Sequence, residues 1–145
     1  GAMSTNAAYL TASVQRDPAN FVPEFSRCAR AIDVWGALRT LGKEGVSQMI
    51  AQNCALARLF ADGLRGAGFS VLNDVVLNQV VVAFGDAPTT DDVIKAIQAE
   101  GTLWAGRTVW QGQTAMRISV SSWATTPSDI EQSLEAIIRV AKSLL

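Results

Sequence analysis

The stretch Thr102-Leu-Trp-Ala-Gly-Arg-Thr-Val-Trp-Gln-Gly-Gln-Thr-Ala-Met-Arg-Ile-Ser-Val-Ser-Ser-Trp123 decides the fold. It reads as two β-strands joined by a tight turn at Gln111-Gly112-Gln113. One arginine, Arg117, stands inside the second strand. A strand interior disfavours an unpaired charge. A guanidinium there is either matched by a structural carboxylate or open to an anionic ligand.

Upstream of this pair, Phe69 to Asn73 reads as a short strand and Leu77 to Phe84 as a longer one. The run Val80-Val81-Val82 is β-branched throughout, which fits a strand that is central or buried on both faces. Gly85-Asp86-Ala87-Pro88 reads as a loop. Thr89 and Thr90 are then expected to cap a helix carrying Val93, Ile94 and Ile97, with Asp91 and Asp92 in its first turn, where the helix dipole favours acids. Gly101 closes that helix. Downstream of the strand pair, Thr126, Pro127 and Asp129 supply the cap, the first-turn proline and the third-position acid of a last helix. That helix presents Ile130, Leu134, Ile137, Ile138 and Val140 or Ala141.

At the other end, Ser26 is a candidate N-cap for a helix to Leu41, with Ile32, Trp35, Leu38 and Leu41 at helical spacing. Gly42 ends it. A second helix follows from about Lys43 to Arg65, with Val46, Ile50, Cys54 or Ala57, and Leu64 on one side. Residues 4 to 25 read as an irregular arm with apolar anchors at Tyr9, Phe21, Val22 and Phe25, because Pro18 and Pro23 break helices. The order predicts an α+β fold. Two N-terminal helices precede a β-β-α-β-β-α sandwich whose mainly antiparallel sheet is covered by helices on one face.

The chain has 145 residues, 49% hydrophobic and 17% charged, which is one globular domain with a core of its own. Twelve basic and 13 acidic residues leave a net charge of −1, and no basic run marks a nucleic-acid footprint. No apolar stretch is long enough to span a membrane. With no histidine, a Ser-His or Cys-His nucleophile pair within the chain is excluded. Cys28 and Cys54 are far apart, form no metal motif and read as buried helix thiols, which suggests a reducing, cytoplasmic setting. Gly1-Ala2-Met3 looks like a tag-cleavage scar, so the chain is expected to be cut from something longer.

No Gly-x-Ser-x-Gly elbow, phosphate loop or dinucleotide fingerprint is present. The expectation is that the chain carries no catalytic residue and no metal site of its own. Arg117 is the best ligand-binding candidate, either as a structural ion pair or as a carboxylate-binding arginine at a pocket edge. Trp35, Trp104, Trp110 and Trp123 read as core or interface. Asn78-Gln79, two amides opening a buried strand, must be hydrogen-bonded and suggest a fixed polar turn or an interdomain contact.

Phe21-Val-Pro-Glu-Phe-Ser-Arg-Cys-Ala-Arg-Ala-Ile-Asp-Val-Trp-Gly-Ala-Leu-Arg-Thr-Leu-Gly42 resembles a segment of the group II pyridoxal-phosphate-dependent amino-acid decarboxylases, the family of aromatic-amino-acid, glutamate and histidine decarboxylases. Val76 to Phe84 looks like its central small-domain strand. Thr108 to Gly112 and Arg117 to Thr126 resemble its penultimate strand pair. The resemblance covers nearly the whole chain in the right order and spacing.

The resemblance implies that residues 26–145 are the C-terminal small domain of a fold-type I enzyme, with residues 1–25 an arm. The large cofactor-binding domain, with its Schiff-base lysine, is absent. Lys43, Lys95 and Lys142 match no Schiff-base motif. Pyridoxal phosphate belongs to the full-length enzyme and is not expected on this fragment, which should not catalyse alone. Arg117 matches a small-domain arginine that pairs with the substrate carboxylate, and Ser26 a position beside the substrate side-chain pocket. Cys28 stands where the family has the second arginine of Ser-Arg-Arg, which puts any inherited role of that charge in doubt. Implied partners are the amino-acid substrate, the large domain and a second copy in a homodimer. Competing readings are a free-standing α+β ligand-binding or regulatory module, in which Arg117 binds a small carboxylate, and a pure assembly domain.

Overall fold

The structure, a computed structural model, describes residues 28–145. The arm expected over residues 4 to 25, and the N-cap expected at Ser26, lie outside the described residues. The elements are α1 (Arg30–Gly66), β1 (Ser70–Val71), β2 (Gln79–Ala83), α2 (Ala87–Glu100), β3 (Gly106–Trp110), β4 (Gln113–Ser119) and α3 (Pro127–Leu144). The four strands form one sheet in the order β1-β2-β4-β3, antiparallel at every pairing. This is the expected α+β fold.

The two helices predicted at the N-terminus are separated at Gly42, whose φ of 61° and ψ of −173° are not helical. A residue without a Cβ adopts that φ at little cost. The described residues divide there into two units, residues 28–41 and Gly42–Leu145. In the first, Ile32, Trp35, Leu38 and Leu41 are exposed, and the Arg39 guanidinium lies 5.9 Å from the centre of the Trp35 ring. Cys28 is exposed, against the expectation of a buried helix thiol; it precedes the helix, and residues 29–35 beside it are exposed as well. Cys54 is buried as expected.

In the second unit the helix buries Asn53, Cys54, Leu56, Ala57, Phe60, Ala61 and Leu64, spaced three and four apart. Ile50, expected on this face, is exposed, because the buried stretch of the helix starts only at Asn53. The core gathers Phe60 and Leu64, Val80, Val82 and Phe84 of the β2 segment, Val93 and Ile97 of α2, Met116, Ile118 and Val120, and Ile130 and Ile137 of α3. Phe69 meets Phe84 edge-on, with ring centroids 5.0 Å apart. Fully burying each such aliphatic or aromatic side chain contributes about 1.5–3 kcal/mol. Because side chains alternate along a strand, Val80, Val82, Met116 and Ile118 share the helix-covered face, whereas Val81 and Arg117 share the other. Val81 is buried too, so the run Val80-Val81-Val82 is sequestered on both faces as predicted.

Several element boundaries differ from expectation. The strand expected over Phe69 to Asn73 is two residues long, because the Asn73 side chain takes over its pairing. Val81 N–H donates to Asn73 Oδ1 at 2.8 Å, and Asn73 Nδ2 donates to the Gln79 carbonyl at 3.0 Å. The hairpin turn has two residues, Gln111 at φ 47° and Gly112 at φ 84°, and Gln113 already pairs with Trp110. Two positive φ values match the twist of the flanking strands. Helix α2 starts earlier than expected. Its cap is Asp86, whose Oδ1 accepts from Thr89 N–H at 3.0 Å, and Pro88 lies inside the first turn, where a missing N–H costs nothing. Asp91 and Asp92 therefore fall beyond that turn. The last helix begins as predicted. Thr126 Oγ1 accepts from Asp129 N–H, and Asp129 Oδ2 accepts from Thr126 N–H, a reciprocal capping box.

Candidate ligand-binding surface around Arg117

Strand β4 lies between β2 and β3, so Arg117 has a neighbour on each side. It is paired with Val81 of β2 and Gly106 of β3. Directly paired residues point to the same face. Arg117 thus rises from the face opposite the helices, beside one buried valine and one residue with no side chain. Ser119, next along the strand on that face, pairs with Gln79. Arg117 is exposed, so the expected cost of placing a charge in a strand interior does not arise here.

Among the described residues, the ion pairs are Arg65–Asp62, Lys95–Asp92, Arg107–Asp91 and Arg139–Glu100. None involves Arg117. The arginine of this hairpin that takes a structural carboxylate is Arg107, whose Nε lies 2.7 Å from Asp91 Oδ1 and whose Nη2 donates to Thr114 Oγ1 at 3.2 Å. Arg107 pairs with Met116 and so belongs to the helix-covered side, where α2 brings Asp91 within reach. Sequence reasoning weighed a structural pairing for Arg117 and did not single out Arg107; strand parity separates the two.

The end of β4 is tied down by Asn78. Its Nδ2 donates to the Val120 carbonyl at 3.0 Å, and its own carbonyl accepts from Val120 N–H at 2.9 Å. The Asn78 amide is thus hydrogen-bonded as expected, but across the sheet to the end of β4 and not within a turn, and it holds the strand three residues beyond Arg117. Thr90, expected as a cap, is instead fully buried, and its Oγ1 accepts from Phe84 N–H at 3.1 Å.

Two open surface pockets are lined by described residues, and Arg117 lines neither. One, of about 190 Å³, lies among Phe60, Leu103, Trp104, Ile118 and Ile130; the other, of about 490 Å³, lies beside Arg65, Asn73 and Trp110. Of the two expected substrate contacts, Ser26 lies outside the described residues and Arg117 alone is placed. Trp35, Trp104 and Trp123 are exposed, the last two by 77% and 80%, which removes the core reading for them.

A Schiff-base lysine needs an enclosed pocket that desolvates its amine. Lys43, Lys95 and Lys142 are exposed on helix surfaces and line neither pocket. The described residues do not fit the covalent site of pyridoxal phosphate. Among them, no group of three or more metal-ligating side chains occurs, and no helix is long and apolar enough to cross a membrane.

No protein-family model matches the chain. In sequence it is 31% identical to a histidine decarboxylase of Drosophila melanogaster over 122 residues, covering 83% of this chain and 14% of that protein. In structure it is similar to Oryza sativa TDC with PLP and tryptamine, at a TM-score of 0.74 and 19% identity, over 97% of this chain and 32% of that one. Catharanthus roseus tryptophan decarboxylase in complex with L-tryptophan gives a TM-score of 0.72 at 19% identity, over 99% of this chain and 33% of that one. Mouse CSAD in apo form gives 0.71 at 15% identity, over 92% and 33%. The chain thus spans 14% of the length of the histidine decarboxylase and about a third of each solved structure.

Proposed function

This chain has the sequence and fold of a segment of the group II pyridoxal-phosphate-dependent amino-acid decarboxylases, and we propose that it is the C-terminal small domain of such an enzyme, closing the active site and gripping the substrate carboxylate through Arg117. The observation that carries this reading is the state of Arg117. It sits on an inner strand, on the face away from the helices, between Val81 and Gly106, with no ion-pair partner among the described residues. A guanidinium presents its donors in a planar fork that matches a carboxylate bidentately.

Decarboxylation needs that grip. The bond to be broken must stand perpendicular to the cofactor ring, and a two-point clamp on the leaving carboxylate fixes that orientation before the reaction. Pyridoxal phosphate supplies the electron sink when bound. In this reading it is held by the large domain, which the present chain does not include. Arg117 binds and orients, Asn78 holds the end of its strand, and Ser26 borders the substrate side-chain pocket. The substrate class is an α-amino acid of the kind used by the aromatic, glutamate and histidine branches of the family. Taken alone, the chain is expected to be inactive.

The exposed Trp35, Trp104 and Trp123 support docking against the large domain and a second copy, giving a homodimer. Two free cysteines support a reducing, cytoplasmic location. The net charge of −1 favours no nucleic-acid or membrane partner. The test is Arg117→Ala in the intact enzyme, which is expected to lose turnover while keeping its pyridoxal phosphate.

A further inference from the structure

Gly106 is a glycine without a conformational or packing reason among the described residues. Its φ is not positive, unlike those of Gly42, Gly68, Gly85, Gly101 and Gly112. A Cβ built on it meets no atom of the described residues within 4 Å. Glycine in a strand forfeits side-chain packing and adds backbone entropy to the unfolded state, so a strand position that could hold a valine and does not is a cost. Such a glycine marks a place where a ligand or another backbone approaches closely.

What stands beside it is Arg117. The two are direct partners in the β3–β4 ladder, so a side chain at 106 would rise on the Arg117 face with its Cβ roughly 5 Å from that of Arg117. On the opposite flank, Val81 already occupies the equivalent place. The only side on which Arg117 has a strand neighbour without a side chain is the Gly106 side. We infer that Gly106 is a specificity-determining residue, and that its missing side chain leaves the gap through which the α-carboxylate of the amino acid reaches the Arg117 guanidinium. This rests on the carboxylate-binding reading of Arg117. It adds that the carboxylate approaches over β3.

The test uses the intact decarboxylase loaded with pyridoxal phosphate, with substrate chosen by screening the common L-amino acids. Gly106→Val should fold normally, because its Cβ meets open space and valine suits a strand. The variant is expected to raise KM about tenfold or more, the scale on which misplaced methyl groups act in a close-fitting site. Its kcat should change less, and its affinity for the amine product, which has no carboxylate, should be unchanged. Gly106→Ala should fall between wild type and Gly106→Val. Arg117→Ala, run in parallel, separates the two levels. If Arg117→Ala is impaired and Gly106→Val binds amino acid and amine as wild type does, the gap is not the approach route and the inference about Gly106 fails alone. If Gly106→Val weakens amino acid and amine equally, its effect is not on the carboxylate, and the inference also fails. If Arg117→Ala is unimpaired, or no amino acid is decarboxylated, the carboxylate reading fails and takes the inference with it.

Discussion

Arg107 and Asp91 join strand β3 to helix α2 through an Nε–Oδ1 contact of 2.7 Å, while Arg117 on the next strand has no such partner among the described residues. Both arginines belong to one hairpin, and the ladder puts them on opposite faces. This division of labour predicts opposite phenotypes. Both partners of the Arg107 pair are partly exposed, and such pairs contribute about 0.2–1 kcal/mol. Arg107→Ala is expected to lower stability by no more than that in thermal or denaturant unfolding, with turnover of the intact enzyme preserved. A loss of turnover as large as that of Arg117→Ala would contradict the division.

Thr90 is the second prediction. Its hydroxyl satisfies the Phe84 N–H inside the core, and no other partner for that N–H is recorded among the described residues. Thr90→Val keeps the shape and removes the acceptor, so a buried donor is left unmatched at a cost of about 1–3 kcal/mol. Thr90→Ser should retain most of the stability. Equal unfolding midpoints for the valine variant and wild type would show that the bond is dispensable.

Acid sensitivity is the third. The Glu100 carboxylate accepts from Thr102 N–H at 2.9 Å and from Arg139 Nη2 at 2.7 Å, and these contacts hold its pKa at about 2, down from 4.5. Thr89 at Asp86 and Thr126 at Asp129 lower those carboxyls in the same sense. A group whose pKa is depressed by folding contributes stability that is fully present above its unfolded value and lost as pH falls through its folded value. The melting temperature is therefore expected to fall as pH drops from about 4.5 to about 2. Glu100→Gln should flatten part of that fall, and a profile parallel to wild type across the window would contradict the role of Glu100.

What the sequence made legible was local. Thr126, Pro127 and Asp129 form their cap within four residues, so their types alone announce it. Gly42 and Gly112 break or turn the chain by their own backbone freedom. What stayed hidden depended on register or distant partners. Asp86, Thr89 and Thr90 are all cap-competent residues within five positions, and only the placement of Pro88 in the first turn and of Phe84 above Thr90 sorts them. Asn73 shortens β1 by pairing with residues six and eight positions away. Arg117 was legible as a charge in a strand. That Arg107, and not Arg117, takes the helix carboxylate, and that Gly106 stands beside Arg117, follows only from the pairing of β3 with β4. The helical stripe of Ile32, Trp35, Leu38 and Leu41 was read correctly as a pattern, yet these residues are exposed, since spacing tells which side chains share a face and not what covers them.

The central claim is that Arg117 holds the substrate carboxylate while other parts of the enzyme hold the cofactor. The direct measurement is steady-state decarboxylation by the intact enzyme carrying Arg117→Ala or Arg117→Lys, with bound pyridoxal phosphate quantified by absorbance on the same samples. The account predicts that Arg117→Ala lowers kcat/KM on the order of a hundredfold, the scale of a misplaced reacting group, at unchanged cofactor content. Arg117→Lys should recover part of the loss, because it restores the charge without the bidentate fork. Wild-type turnover by Arg117→Ala at full cofactor occupancy would contradict it.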